Sequence, residues 1–439
     1  MTQEEILKVN NLFVRFYTYE GVVEALDDVN LTIKKGEILG LVGETGCGKS
    51  VTSLSTLRLV PPPGLIEKGE VHLRKEDRFV DLLKQPEPFM RQIRGRDIAM
   101  IFQEPRAYLN PVYSVYDQIS EVLLVHRKKE FLEKALTSLK EKNKQYIFDC
   151  NSLNKNCNFK IKAKEKTELF NIAMQHLKDT HKWNVTKSDL QSKIEQAIKE
   201  DIAWTFEMKL YKRMIEKPNS LATRFLSKIY RSKRELKNEL RKEVVRLLKV
   251  MGIPDPERVA DMYPHELSGG MAQRVVIAMA ISCNPLILIA DEPTTNLDVT
   301  VQAQILTLVK DLRDKFGSSI LYITHDLGVI AEVCDRVGVM YAGTIVELAD
   351  IMELFTRPLH PYTVGLLESI PRPGKELKSI PGTVPSLINP PSGCRFHNRC
   401  AYAMDICTKV KPPFKEVKEN HYVACHLYME VQHECPHKG

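Results

Sequence analysis

The chain has 439 residues, 43% of them apolar and 27% charged, with a formal net charge of +7. At roughly 100–200 residues per domain this is a globular chain of two or three domains with a sizeable core. No run of about 18 apolar residues occurs, which excludes a membrane-spanning helix. The opening MTQEEILKVN lacks the basic and apolar regions of a secretory signal, so a cytoplasmic chain is expected, with any membrane role peripheral. The basic excess is too small to argue for nucleic acid. Ten cysteines in that compartment are not expected to form a disulfide framework.

In chain order, residues 8–16, 38–42, 69–74 and 98–103 read as short strands rich in β-branched and apolar residues. Residues 286–290 (LILIA) and 319–323 (SILYI) are continuous apolar runs, suited to parallel strands buried on both faces. Between them the spacing predicts helices, for example over 301–315. Strands alternating with helices predict an α/β core.

Residues 128–240 differ in character, with 26 Lys/Arg against 15 Asp/Glu. The apolar spacing of Leu132, Ala135, Leu136 and Leu139 predicts amphipathic helices in this block, with Trp183 and Trp204 anchoring a small core. Two readings of its charge stay open: a solvated decoration, or a basic face that meets anionic lipid or a partner. Cys150 and Cys157 stand as C-x6-C without two further ligands nearby in sequence, and read as plain thiols. Residues 357–439 are rich in Pro, Gly and Cys and read as a small appended domain.

Gly43-Glu44-Thr45-Gly46-Cys47-Gly48-Lys49-Ser50 fits G-x-x-x-x-G-K-[ST]; it follows the apolar strand ILGLV and opens a helical stretch, and together with Val51 is expected to bind ATP. Its glycines let backbone N–H groups turn inward around phosphates, and the helix N-terminus adds partial positive charge. Lys49 is expected to reach the β- and γ-phosphates of ATP, and Ser50 to bind Mg²⁺. The run LILIA ends in Asp291-Glu292. Asp291 is placed to hold Mg²⁺, and Glu292 to act as general base on water. Apolar strands ending in two acids are common, so the phosphate loop is what gives this pair its meaning. Ser268-Gly269-Gly270, entering a helix that carries Gln273, is a second anion site of hydroxyl, free N–H groups and dipole.

LSGGMAQR (267–274) resembles the signature motif of ATP-binding cassette (ABC) ATPases, and the other family elements follow in order. Gln103 resembles the Q-loop glutamine, Asp298 in TNLD the D-loop aspartate, and His325 the switch histidine at the γ-phosphate. A lone histidine in such a place is ordinarily a surface or core residue; its position among these motifs favours the functional reading. Tyr19, with Tyr17 close behind, is the candidate for stacking on adenine, although strand packing would use tyrosines equally well. The resemblance implies a P-loop NTPase with a RecA-like core, an antiparallel β subdomain and a helical signature subdomain. It also implies a head-to-tail pair in which Ser268, Gly269, Gly270 and Gln273 of one chain cap ATP on the other.

Asn110-Pro111-Val112-Tyr113, YPHELSGGMAQR, Leu359-His360-Pro361-Tyr362-Thr363 and PPSGCRFHNRC are similar to ATPase subunits of dipeptide and oligopeptide importers. Relatives also serve nickel or oligosaccharides. The expected domains are an ABC ATPase over 1–127 and 241–356, a basic helical insertion over 128–240, and a C-terminal domain over 357–439. The resemblance implies a second, paralogous ATPase chain, two membrane permeases and an external binding protein as partners, on the cytoplasmic side of the membrane. No nucleic-acid partner is expected; a soluble ABC ATPase acting on DNA or ribosomes is the rival of a different class. Cys394, Cys400, Cys407 and Cys425 follow C-x5-C-x6-C-x17-C, not the C-x2-C pairs of common zinc ribbons. Four thiolates can hold a [4Fe–4S] cluster, as some members of the family do at these positions; zinc or free thiols are the alternatives.

Overall fold

The computed structural model describes residues 4–153, 156–182, 187–218, 220, 234–295, 298–371 and 379–429. Two compact units divide the chain: residues up to Val122 together with those from Leu247 onward, and Leu123–Arg246.

The first unit is built on an eight-stranded sheet. Its centre is parallel, in the order Arg336–Tyr341, Ile38–Val42, Ser319–Ile323, Ile287–Asp291, Ile98–Ile101. Every residue of Ile38–Val42, Ile287–Asp291 and Ser319–Ile323 is buried, as apolar runs covered on both faces require. The pattern over 301–315 is realised as the helix Val299–Phe316. Asp298 caps its start by accepting from Val301 N–H at 3.0 Å, and Gly317, at φ 67°, ends it.

A second, antiparallel sheet runs in the order Gly21–Lys34, Glu5–Thr18, Gly64–Lys75, Arg78–Asp81. Sequence pattern misses Gly21–Lys34, because its GVVEALDDVNLTIK alternates irregularly across a bulged ladder.

The C-terminal residues continue the main sheet. Strands Lys415–Lys418 and His421–Val423 extend the main sheet through Thr344–Asp350, with Glu347 opposite Val423 and Leu348 opposite Tyr422. Glu347 is fully buried and accepts from Leu359 N–H (2.7 Å), His360 N–H (2.9 Å) and His421 Nε2 (2.8 Å). One carboxylate with three donors thereby pins the segment 359–362 to the sheet. Cys435 and His437 lie outside the described residues.

The Leu123–Arg246 unit is mostly helical, with a sheet that the periodicity does not show. It contains a three-stranded antiparallel sheet, Lys160–Ala163, Lys144–Asp149, Ile198–Ile202. Phe148, Leu169, Ala173, Leu177, Leu190 and Ile194 form the core between this sheet and helices Lys166–His181 and Lys187–Ala197. Leu132, Ala135 and Leu136 are buried on the helix Lys128–Lys142, as their spacing predicts. Trp204 does not anchor a core. It is partly exposed, with Lys140 and Lys212 over its ring at 5.7 and 5.5 Å. Trp183 lies outside the described residues.

Candidate active site

Four neighbouring parallel strands deliver the expected site residues at one sheet edge. Ile323 is in register with both Asp291 and Leu41, and Ile101 with Ala290, so the chain leaves these strands at a common level. The carboxyl edge of a parallel sheet is where α/β folds bind ligands.

After Ile38–Val42 comes the phosphate loop, then the helix Lys49–Thr56. Gly48 caps that helix at φ 106°, and a Cβ there would lie 2.8 Å from Ala25 O. A Cβ at Gly43 would sit 2.1 Å from Met340 O, so the loop is seated on Arg336–Tyr341 too closely for any side chain. Lys49 is buried and donates from Nζ to Gly43 O (2.7 Å) and Glu44 O (3.1 Å). Thr45, Gly46 and Ser50 are exposed, Val51 is half-buried, and Cys47 packs inward into the core.

Ser50 Oγ donates to Asp291 Oδ1 at 3.1 Å. Burial pushes the Asp291 carboxyl up; the Ser50 hydrogen bond and Lys49 oppose this, and the Glu292 charge adds to it. Such a carboxylate gains from a cation beside it.

Glu292 lies at the centre of a converging set. Its Oε2 accepts from Gln103 Nε2 (2.9 Å) and Thr295 Oγ1 (2.9 Å), and its Oε1 lies 3.1 Å from His325 Nδ1. The Glu292 backbone is left-handed, at φ 47°, and its N–H donates to Ile323 O at 2.9 Å. A non-glycine residue there costs about 1–3 kcal/mol, a strain found mainly where a side chain must be aimed.

Ser268 and Gly269 are exposed at the start of the helix Gly269–Ile281, and Ser268 Oγ accepts from Met271 N–H at 3.3 Å. The cleft beside them is lined by Gly270, Met271, Val301 and Gln304, among others, and by no residue of 43–51. Gln273 departs from the expectation that it faces a partner's nucleotide. It is buried, and its Nε2 donates to Pro293 O at 2.7 Å, so it braces the turn after Glu292 within the same chain. Asp298 caps its helix; Asn296 and Leu297 lie outside the described residues. Tyr19 is fully exposed in the turn between the two long antiparallel strands, whereas Tyr17 donates its hydroxyl to Glu67.

Sequence reasoning missed three contacts. Thr295 is one. The other two come from the C-terminal region onto the phosphate loop: Arg399 clasps the Glu44 carboxylate at 2.7 and 3.2 Å, and Glu44 N–H donates to Tyr362 OH at 3.0 Å. Arg399 and Tyr362 are buried, and Arg399 immediately precedes Cys400. The signal was in the quoted tail motifs, but partners more than 300 residues apart leave no local pattern.

The cysteine quartet lies in the same C-terminal region. Cys394 N–H donates to Cys407 O at 2.8 Å. Two of the sulfurs receive a backbone N–H: Cys400 from Tyr402 at 3.4 Å and Cys407 from Met404 at 3.5 Å. Burial pushes the Cys394 and Cys425 thiols up to about 11, and neighbouring members of the quartet add to it.

A family model described as ABC transporter matches residues 26–156 and 166–295, more than half of the chain. A second, described as oligopeptide/dipeptide transporter, C-terminal region, matches 346–407. The oligopeptide transport ATP-binding protein OppD of Bacillus subtilis is 38% identical over 423 residues, covering 95% of this chain and 87% of that one. The dipeptide transport ATP-binding protein DppD of the same organism is 37% identical over 428 residues, covering 97% and 95%. A solved dimeric ATP-binding cassette bound to ADP and phosphate covers 79% of this chain at 19% identity, with a TM-score of 0.47. The chain belongs to the ATP-binding proteins of ABC transporters, in the branch that carries the oligopeptide/dipeptide transporter C-terminal region.

Proposed function

We propose that this chain is the ATP-hydrolysing subunit that energises uptake of dipeptides or oligopeptides. The observation that carries the reading is Glu292 held between Gln103, Thr295 and His325, beside the Ser50–Asp291 pair, at the edge where the phosphate loop turns. The match over 346–407 and the names of OppD and DppD favour peptide cargo over nickel or oligosaccharide.

Lys49 exchanges its loop carbonyls for β- and γ-phosphate oxygens, with loop N–H groups around them. Ser50, Asp291 and Gln103 would hold Mg²⁺, which neutralises charge on the phosphates. Glu292 takes a proton from the attacking water as the water oxygen bonds to the γ-phosphorus. The bond from that phosphorus to the leaving ADP oxygen breaks in the same displacement. His325 and Gln103 fix the carboxylate, and His325 faces the γ-phosphate.

Ser268 and Gly269 serve a second cassette, packed head to tail, which supplies its own signature in return. Their exposure, in a cleft free of phosphate-loop residues, supports this division. The partner cassette is a paralogous chain. The pair docks on two permeases at the cytoplasmic face of the membrane, and an external binding protein delivers cargo. Among the described residues no helix is long and apolar enough to cross a membrane, consistent with peripheral attachment.

The test is reconstitution of the chain with its partner cassette, permeases and binding protein in proteoliposomes. Peptide-stimulated ATP hydrolysis with peptide uptake is expected. Hydrolysis indifferent to peptide, permease and partner overturns the reading.

We propose that Cys394, Cys400, Cys407 and Cys425 would hold a [4Fe–4S] cluster; the backbone N–H donors on the Cys400 and Cys407 sulfurs, of the kind that stabilises ligating thiolates, support this reading. The cluster would supply a structural staple to a segment of short elements that packs on the phosphate loop through Arg399. Chain purified without oxygen should carry iron and acid-labile sulfide; a colourless, iron-free chain rejects the cluster.

A further inference from the structure

The Leu123–Arg246 unit contains a second sulfur-bearing cluster that sequence spacing hides. Cys150 follows the strand Lys144–Asp149, and Cys157 precedes the strand Lys160–Ala163, so both sit in one hairpin connection. His176 and His181 lie five residues apart near the end of the helix Lys166–His181. The helix packs across the hairpin through Leu169, Ala173, Leu177 and Phe148. Four ligand atoms, the two Sγ and one nitrogen from each ring, all lie within 4.8 Å of one another.

We propose that Cys150, Cys157, His176 and His181 form a structural zinc site.

The distances decide between donor sets. Zn–S of about 2.3 Å and Zn–N of about 2.0–2.1 Å at tetrahedral angles put sulfur and nitrogen roughly 3.5 Å apart. Cys150 Sγ lies 3.4 Å from His181 Nε2, and Cys157 Sγ lies 3.3 Å from His176 Nε2. A thiol–imidazole hydrogen bond alone would account for one such pair. It does not account for two pairs converging on a common centre.

The surroundings are those of a ligand set. Phe159 N–H donates to Cys157 Sγ at 3.4 Å, the two-residue offset that favours a thiolate. Thr180 Oγ1 lies 3.2 Å from His176 Nδ1, a contact that leaves Nε2 as the nitrogen turned to the sulfurs. Phe159 stacks on the His176 ring at 3.8 Å and fixes its plane. Both cysteines are buried. Two thiolates and two neutral imidazoles match the charge of Zn²⁺, so loading releases two thiol protons and leaves a neutral site. Among the described residues, the hairpin and its two helices have a core of nine buried residues, two of them these cysteines. A unit that small gains from a metal staple.

The spacing C-x6-C-x18-H-x4-H explains why the pattern escapes a sequence reading. The histidine pair is ordinary for zinc, but the cysteine pair is wider than the usual two to four intervening residues.

The test uses the full-length chain, expressed without a histidine tag and supplied with zinc. Elemental analysis should find one zinc equivalent that is lost in Cys150→Ser/Cys157→Ser and kept in Cys394→Ser/Cys407→Ser. This separates the site from the C-terminal quartet. Cobalt substitution should give the intense visible bands of a tetrahedral sulfur–nitrogen site. If the double serine variant does not fold, His181→Cys decides: it should keep the metal with cobalt bands shifted towards three sulfurs. A zinc-free wild type, zinc content unmoved by the Cys150→Ser/Cys157→Ser pair, a Cys150–Cys157 disulfide, or a His181→Cys chain that binds no metal would each overturn the proposal.

Discussion

Charged residues serve different ends in the two units. In the sheet unit the decisive ones are enclosed. Glu347 and His421 are fully buried partners, Glu37 and Arg336 pair at 3.0 Å in the interior, and Arg399 reaches Glu44 from a buried position. In the three-stranded sheet of the Leu123–Arg246 unit the pairs lie in water: Lys144–Glu200, Lys160–Asp149 and Lys162–Asp201 each join two side chains more than a third exposed, whereas Arg127–Glu243, on the helices of that unit, is largely enclosed. The buried pairs set the position of a strand or a loop, because a charge left alone in the interior is costly. The exposed pairs are screened and hold little. The specificity of shape of that three-stranded sheet and the two helices packed on it therefore has to come from their apolar core and from the proposed metal.

Glu292→Gln is the sharpest break of that comparison and carries the largest expected effect. The amide keeps the hydrogen-bonding shape but cannot take the proton. Turnover of the assembled transporter should fall on the order of 10²–10⁴-fold. Nucleotide binding should persist, since Lys49 and the loop amides are untouched. Steady-state hydrolysis and equilibrium ATP binding, measured on the same preparation, check both halves.

Arg399→Ala comes next. It removes the clasp on Glu44 and leaves that partly buried carboxylate beside the phosphate loop without its cation. The expected cost is about 2 kcal/mol of stability, below the range for a fully buried pair because Glu44 is partly solvated. ATP affinity should weaken several-fold, since the same loop donates its N–H groups to phosphate. Arg399→Lys should restore part of the stability but not the two-pronged contact. Unchanged melting and unchanged ATP affinity in Arg399→Ala would remove the C-terminal region from the nucleotide site.

These contrasts also mark what the sequence discloses. Strands 38–42, 286–290 and 319–323 were legible because burial on both faces leaves an unbroken apolar run. The phosphate loop, Asp291 and Glu292 were read from their place after such strands, and Gln103 and His325 from the resemblance to ABC ATPases. Gln103, Glu292 and His325 meet through side-chain contacts of 2.9–3.1 Å. Gly21–Lys34 was obscure because bulges break its alternation. Gln273 was read from its motif alone, and only packing shows that it turns inward to Pro293 O. Arg399 and the Cys150–His181 cluster were obscure for a shared reason: their partners come together through tertiary packing, with no short-range spacing to betray them.

The smallest expected effect lies on the surface of the insertion. Lys162 donates to Asp201 at 3.0 Å, joining two strands that are not neighbours in the sheet order, across the central Lys144–Asp149. Asp201 also accepts from Gln145 Nε2 at 2.7 Å, and both contacts hold its carboxyl below the usual range, Lys162 first. Because Asp201 keeps the Gln145 bond and water when Lys162 is replaced, Lys162→Gln should leave thermal unfolding unchanged within measurement, at low salt as at high salt. A clear, salt-dependent loss would mean that the exposed charges of the insertion are structural after all, and that the contrast between the two units is one of degree. An unchanged melting curve, set beside the metal dependence of the Cys150 cluster, would instead place the insertion's order in its core and its ligand set, and leave its basic surface free for a purpose other than folding.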